Sequence, residues 1–340
     1  MKLNKNLMAV LLIGMLSTIL ILSGCATKET TTQEKPTLKI GHLPITHAAL
    51  PLIVVDQNQG ELENFNLEMV KFSNWAEMAE AIQAGKIDGG GSILNSLAIK
   101  IASKGVPFNS VLMAVRDGSV LMVSNDINDV SELKGKTIAI PSKFSPHYIL
   151  LHKYLTDNGL EPGVDVQTPD MAPPDMIQGL VSGSIDGYIV AEPFGVKAEE
   201  LGVGKPLIFS KDIEIPGSRS NECTISIRKE FIDQHPEAVQ EFVDKLILAG
   251  IWAEENPEEA AKLLSPYLGQ EPETIVRAFN DPPGRTRYAD LFPREEEYKA
   301  FQDYMLKINL MEEGINIEEF VDERFAEKAY QKYGLEKQDW

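Results

Sequence analysis

Two histidines, His47 and His147, stand 100 residues apart in the chain. Near neutral pH an imidazole can donate or accept a hydrogen bond, fix an oxyanion, or ligate a metal. Each lies between an apolar run and a helical pattern, in Pro44-Ile45-Thr46-His47 and in the segment from Ser142 through Ser145 to His147. Open α/β sheets place ligands at such points, beyond strand ends and at helix N-termini whose free N–H groups suit anions. Three more segments have the same form. Ser73-Asn74-Trp75 offers an aromatic face. Asp88-Gly89-Gly90-Gly91-Ser92 combines a close backbone approach at Gly91 with a helix-capping hydroxyl at Ser92. Glu192-Pro193 supplies a carboxylate for a ligand amine, a metal or a helix cap. The candidate ligand-binding residues are therefore Thr46, His47, Trp75, Gly91, Ser92, Ser142, Ser145, His147 and Glu192. Each also admits a reading as a packing or capping residue.

A metal would need a third partner for the two histidines, from Glu192, Glu222 or Cys223. A His/His/carboxylate set suits zinc or another transition metal. No local ligand spacing supports one, so neither a metal nor a cofactor is expected. Catalytic patterns are missing too: there is no G-x-S-x-G and no H-E-x-x-H. Gly135-Lys136-Thr137 ends like a phosphate-binding loop, but Val130 takes the place of its first glycine and a strand pattern follows. Cys223 reads as a buried apolar residue. His42, His152 and His235 read as structural or exposed, and Glu295–Glu297 as a solvated helix start.

The elements that position these residues repeat. Residues 75–89 (WAEMAEAIQAGKIDG) and 173–187 (PPDMIQGLVSGSIDG) match at an offset of 98, through Met78 and Met176, Gly85 and Gly183, and the two Ile-Asp-Gly triplets. Each is a helix pattern ended by a glycine suited to a left-handed cap, then a strand start. The runs 37–43 and 136–141 read as strands, 147–157 as a helix and 188–191 as a strand. Alternating strands and helices imply parallel sheets covered on both faces, here in two similar lobes. Strands at 119–124 and 223–227 fall where the chain would cross between them. Beyond residue 228 the chain turns helical. Phe231, Val239, Phe242, Val243, Leu246 and Ile247 mark an apolar face, and further helices are expected at 257–267, 294–310 and 317–333, packed back on the first lobe.

The chain has 340 residues, 43% hydrophobic and 24% charged, which suits a globular protein with a large core. Its net charge of -19 excludes nucleic acid as a partner and disfavours anionic lipid surfaces without a separate tether. Lys2 and Lys5 precede a continuous apolar run over residues 7–22, the pattern of a secretory signal. Leu22-Ser23-Gly24-Cys25 resembles a bacterial lipobox, which implies lipidation of Cys25, and residues 26–36 read as a flexible tether. With Cys25 lipidated, Cys223 has no disulfide partner. The expected organisation is a signal peptide (1–24), a lipidated tether (25–36), a first lobe (37–122 and 219–340, with the C-terminal helices) and a second lobe (123–218).

The stretch 172–196 (APPDMIQGLVSGSIDGYIVAEPFGV) resembles the signature region of the nitrate/sulfonate/bicarbonate family of ABC-transporter solute-binding proteins, and 40–55 (IGHLPITHAALPLIVV) resembles that family's first strand and helix. The likeness covers most of residues 37–280. It implies an α/β, two-lobed type II periplasmic-binding-protein fold with a ligand cleft and two crossovers. It also implies a monomeric, lipid-anchored protein on the extracytoplasmic face of a bacterial membrane, which takes a small oxyanion or sulfonate-type solute and delivers it to an ABC permease and its ATPase. In this resemblance His147 falls near a histidine used on the ligand, Trp75 matches a pocket aromatic and Glu192 an acidic-proline pair. Phe194 stands where nitrate members usually carry Trp. A metal ion, a small organic heterocycle over Trp75, and an enzyme like the pyrimidine-precursor synthase of the same fold are the alternatives. That enzyme's cysteine-rich motif has only Cys223 as a counterpart here.

Overall fold

The first strand, β1 (Thr37–His42), buries Leu38 and Ile40 completely and ends at the loop that carries Thr46 and His47. The computed structural model describes residues 34–218 and 221–337; the apolar N-terminal run and Cys25 lie outside the described residues. A 3-10 turn (Thr46–Ala48) leads into α1 (Ala49–Asn58), followed by β2 (Asn66–Lys71), α2 (Trp75–Gln83), β3 (Gly89–Leu94), α3 (Asn95–Ser103) and β4 (Phe108–Asp117). Then come β5 (Ser119–Val123), β6 (Ile138–Ala139), α4 (Pro146–Asp157), α5 (Pro173–Ser182), β7 (Gly187–Ala191), α6 (Phe194–Glu200) and β8 (Lys205–Phe209). The chain continues through β9 (Asn221–Arg228), α7 (Lys229–Gln234), α8 (Pro236–Glu255), α9 (Pro257–Leu268), α10 (Pro272–Asn280), β10 (Thr286–Arg287), α11 (Glu295–Lys307), α12 (Ile317–Phe320) and α13 (Arg324–Tyr333).

Among the described residues the strands form two sheets, one of six strands in the order β10-β4-β9-β3-β1-β2 and one of four in the order β6-β7-β5-β8. The chain leaves the first sheet at Gly118, between β4 and β5, and returns to it on β9. Both sheets are mixed, where the alternation of elements implied parallel ones. β1, β2 and β3 pair in parallel, as do β6 and β7, but β9 runs antiparallel to β3 and β4, and β5 antiparallel to β7 and β8. A strand that enters from the other sheet needs no βαβ crossover, so no handedness rule forces it parallel.

The Ile-Asp-Gly repeat has a packing cause. Asp88 accepts the backbone N–H of Lys39 at 2.8 Å, and Asp186 accepts that of Thr137 at 2.9 Å, so each carboxylate ties the turn before its strand to a neighbouring strand. A Cβ on Gly89 would lie 2.4 Å from the Ser226 carbonyl, and one on Gly187 would lie 2.5 Å from that of Met122. Only glycine lets β9 and β5 approach this closely.

The C-terminal helices cover the first sheet. α8 packs on α1 and α13, α11 on α3 and β9, and α12 and α13 on β4. The six apolar positions marked in the sequence on α7 and α8 are all buried, and Phe242 meets Phe65 edge-on at 5.9 Å. Burial of each large apolar side chain stabilises the fold by roughly 1.5–3 kcal/mol. The helix expected at 317–333 is two helices, α12 and α13, broken at residues 321–323 where Val321 bridges to Ser110 of β4.

Candidate functional site

His47 and His147 meet between the two sheets. Their rings are nearly parallel, 10° apart, with centroids at 6.4 Å. The loop after β1 delivers His47. Its neighbour Thr46 donates its N–H (2.9 Å) and its hydroxyl (3.2 Å) to the Glu192 carbonyl, and its own carbonyl accepts Tyr288 Oη at 2.7 Å. His147 sits in the first turn of α4. Ser145 caps that helix by accepting the Tyr148 N–H at 3.1 Å and donates its hydroxyl to the Ser142 carbonyl at 2.6 Å. Pro146 at the first helical position suits the start. Ser142 and Ser145 therefore shape the turn that presents His147.

Trp75 packs on the other side of His147, ring centroids 5.8 Å apart, and donates its indole N–H to the Ser92 carbonyl at 3.0 Å. β9 supplies Glu222 and Cys223. His147 Nε2 lies 3.9 Å from Glu222 Oε2, and His47 Nδ1 lies 3.1 Å from Cys223 Sγ. Glu222 also accepts the Ser119 hydroxyl, from the start of β5. Cys223 pairs in register with Leu94, the residue before Asn95, so the first turn of α3 closes the group. From that turn Ser96 donates to the Phe144 carbonyl at 2.7 Å, which ties α3 to the loop before α4.

Several buried polar atoms on these residues have no hydrogen-bond partner among the described residues: His47 Nε2, Ser92 Oγ, both side-chain atoms of Asn95, both ring nitrogens of His147, and Glu222 Oε1. Native proteins rarely bury polar atoms unpaired, because each one forfeits its bonds to water. Burial sets the charge states. It lowers the His47 pKa to about 4 and that of His147 further below its ordinary value, so both imidazoles are neutral at pH 7. It raises Glu222 to about 7, against the pull of the Ser119 hydroxyl, and pushes the Cys223 thiol well above its ordinary value. Burial favours the protonated thiol of Cys223 and the neutral imidazole of His47.

Two candidate residues stand apart from this group. The Glu192 carboxylate accepts Arg285 Nε at 2.6 Å and the Val196 N–H at 3.1 Å; it is bound within the protein and bonds none of the other candidates. Gly91 serves packing: a Cβ there would lie 2.8 Å from Pro51 Cγ and 2.9 Å from Ile40 Cγ2. Nor do the five possible metal ligands gather. Among the described residues no three His, Cys, Asp or Glu side chains form a group able to hold a metal ion. Asn95 escaped the sequence reading. Its signal was a carboxamide placed directly after an apolar strand, where α3 begins.

The chain matches the NMT1-like family over residues 31–265. It is 28% identical to the ligand-binding component of an ABC-type import system from Staphylococcus aureus, whose crystal structure contains zinc; the TM-score is 0.78, over 87% of this chain and 99% of that one. The periplasmic nitrate-binding protein of Synechocystis superposes with a TM-score of 0.77 over 88% of this chain and 89% of that one, at 19% identity. The taurine-binding periplasmic protein of Escherichia coli is 32% identical over 57% of this chain and 61% of its own length. The chain spans about two fifths of the length of two further curated relatives, the nitrate-import and bicarbonate-transport ATP-binding proteins of Synechocystis (40% and 41%). The fold is that of the periplasmic solute-binding proteins, mixed α/β with two sheets.

Proposed function

Because the chain belongs to the NMT1-like family, we propose that it is the solute-binding component of an ABC importer. It holds a small solute in the buried polar group between the two sheets and delivers it to a permease coupled to an ATPase. The observation that carries this reading is the set of unpartnered polar atoms around His147, on Ser92, Asn95, His147 and Glu222. A solute that bonds them removes the cost of burying them unpaired. The lobes are residues 37–122 with 219–340, and 123–218. They close about the two passages of the chain, at Gly118 and ahead of β9, because a solute held by both favours the closed state by its differential affinity.

The reading places the protein on the extracytoplasmic face of the membrane, as a monomer anchored through lipid on Cys25. Among the described residues no helix is long and apolar enough to cross a membrane. Two or more acyl chains would hold the protein firmly where one binds only marginally. A non-catalytic role is supported by the likeness to solute-binding proteins.

A thermal-shift panel of nitrate, bicarbonate, sulfonates and small organic bases, run on wild type and His147→Ala, tests the proposal. At least one compound should raise the wild-type melting temperature and lose most of that effect in the variant. A stabilising compound that acts equally on both proteins would place the site elsewhere.

A further inference from the structure

We infer that the solute carries its own N–H donors, and that Glu222 receives one of them, so that the solute is a nitrogen compound rather than a bare oxyanion or simple sulfonate. This inference rests on the reading of the group around His147 as the solute site.

A neutral imidazole has one donor and one acceptor nitrogen, and a carboxamide offers donors on nitrogen and an acceptor on oxygen. The unpartnered acceptors are therefore Asn95 Oδ1, one nitrogen of His147 and, once its carboxyl is ionised, Glu222 Oε1. The unpartnered donors are Asn95 Nδ2, the other His147 nitrogen and the Ser92 hydroxyl. A bare oxyanion only accepts. It would satisfy the donors, leave the Asn95 and His147 acceptors buried without a partner, and be repelled by Glu222 in its ionised form. A solute with both N–H groups and acceptor atoms satisfies both sets.

The charges agree. Among the described residues, no lysine or arginine hydrogen-bonds or pairs with Ser92, Asn95, His147 or Glu222. The three arginines buried among the described residues are engaged elsewhere: Arg116 pairs with Glu297 at 2.9 Å, Arg285 with Glu192 and Glu199, and Arg294 with Asp290 at 2.8 Å. The Glu222 carboxyl lies 3.9 Å from His147 Nε2, and in its ionised form it would repel an approaching anion. An N–H or ammonium group is what that carboxyl can bind.

Matched probes that differ by one amino group test this by titration calorimetry: taurine against ethanesulfonate, and 4-aminopyrimidine against pyrimidine, with sodium nitrate as the bare anion. In at least one pair the amino compound should bind ten-fold or more tightly than its partner, and nitrate should bind no better than the weaker member. Glu222→Met should abolish the difference. Glu222→Gln, which keeps one acceptor oxygen and preserves the shape, should reduce it at least three-fold and serves if the methionine variant does not fold. A panel with no amino-dependent gain, tighter binding of nitrate or ethanesulfonate, or an undiminished gain in both Glu222 variants overturns the inference. The solute-binding reading would survive tight nitrate binding that His147→Ala removes, so the two can fail separately.

Discussion

His147 Nε2 lies 3.9 Å from Glu222 Oε2, although His147 opens the helix that follows a strand of the four-stranded sheet and Glu222 lies on a strand of the six-stranded one. Both side chains are buried, and each keeps a polar atom without a partner. Two sheets that met only to pack would bring apolar side chains to this point. That they bring an imidazole and a carboxyl, each with an unpartnered polar atom, is the reason we propose that the solute binds here.

The burial of Glu222 gives stability a pH dependence. Its pKa is about 7 in the folded protein and 4.5 ordinarily, so between those values the folded state holds a proton that the unfolded chain has released. Its contribution is fully present below pH 4.5 and lost as the pH rises through 7. Glu222→Gln cannot titrate. Its stability relative to wild type should therefore increase across that window, by at most about 3 kcal/mol. His47 has the opposite sign: with its pKa lowered from 6.5 to about 4, stability is gained as the pH rises between those values, and His47→Gln should flatten that gain. Urea unfolding of the three proteins from pH 4 to 8 measures both, and differences independent of pH would contradict the assignment.

The Glu192–Arg285 pair is buried on both sides, at 0% and 1% exposure, and links the start of α6 to the segment before β10. Arg285→Met leaves the Glu192 carboxylate buried without its partner, which costs about 3–5 kcal/mol. Removing both charges, as Glu192→Gln with Arg285→Met, should cost less than the two single changes together. Chemical denaturation of the four proteins tests this, and additive losses would show that the two groups act independently.

Cys25 should carry lipid. Metabolic labelling with an alkyne analogue of palmitate should mark wild type and not Cys25→Ser, and the variant should leave the membrane fraction. Equal labelling of both proteins would remove the anchor from the account.

Much of the fold is legible because local chemistry fixes it. The two Ile-Asp-Gly triplets are visible in the sequence since each aspartate must reach a backbone N–H and each glycine must admit a strand. His47 and His147 are visible for the same reason: their separation of 100 residues nearly equals the repeat offset of 98, so equivalent turns in the two halves present them. Long-range pairing is not visible. Glu192 stands before a helix like a free ligand carboxylate, and only the fold brings it Arg285, which lies 93 residues along the chain. Asn95 goes unmarked in the sequence, because its two unpartnered atoms arise from burial by other elements. Strand direction also escapes the sequence, because β5 and β9 have the same apolar pattern whether they run parallel or antiparallel.

Native mass spectrometry of the protein purified from cells, without unfolding, reads out whether the polar group around His147 holds a solute. Wild type should carry one small solute at one per chain. Variants His147→Ala and Glu222→Met, shown to be folded by circular dichroism, should carry it at a tenth of that occupancy or less. The same solute at undiminished occupancy in both variants would show that the polar group between the sheets is not where this protein binds.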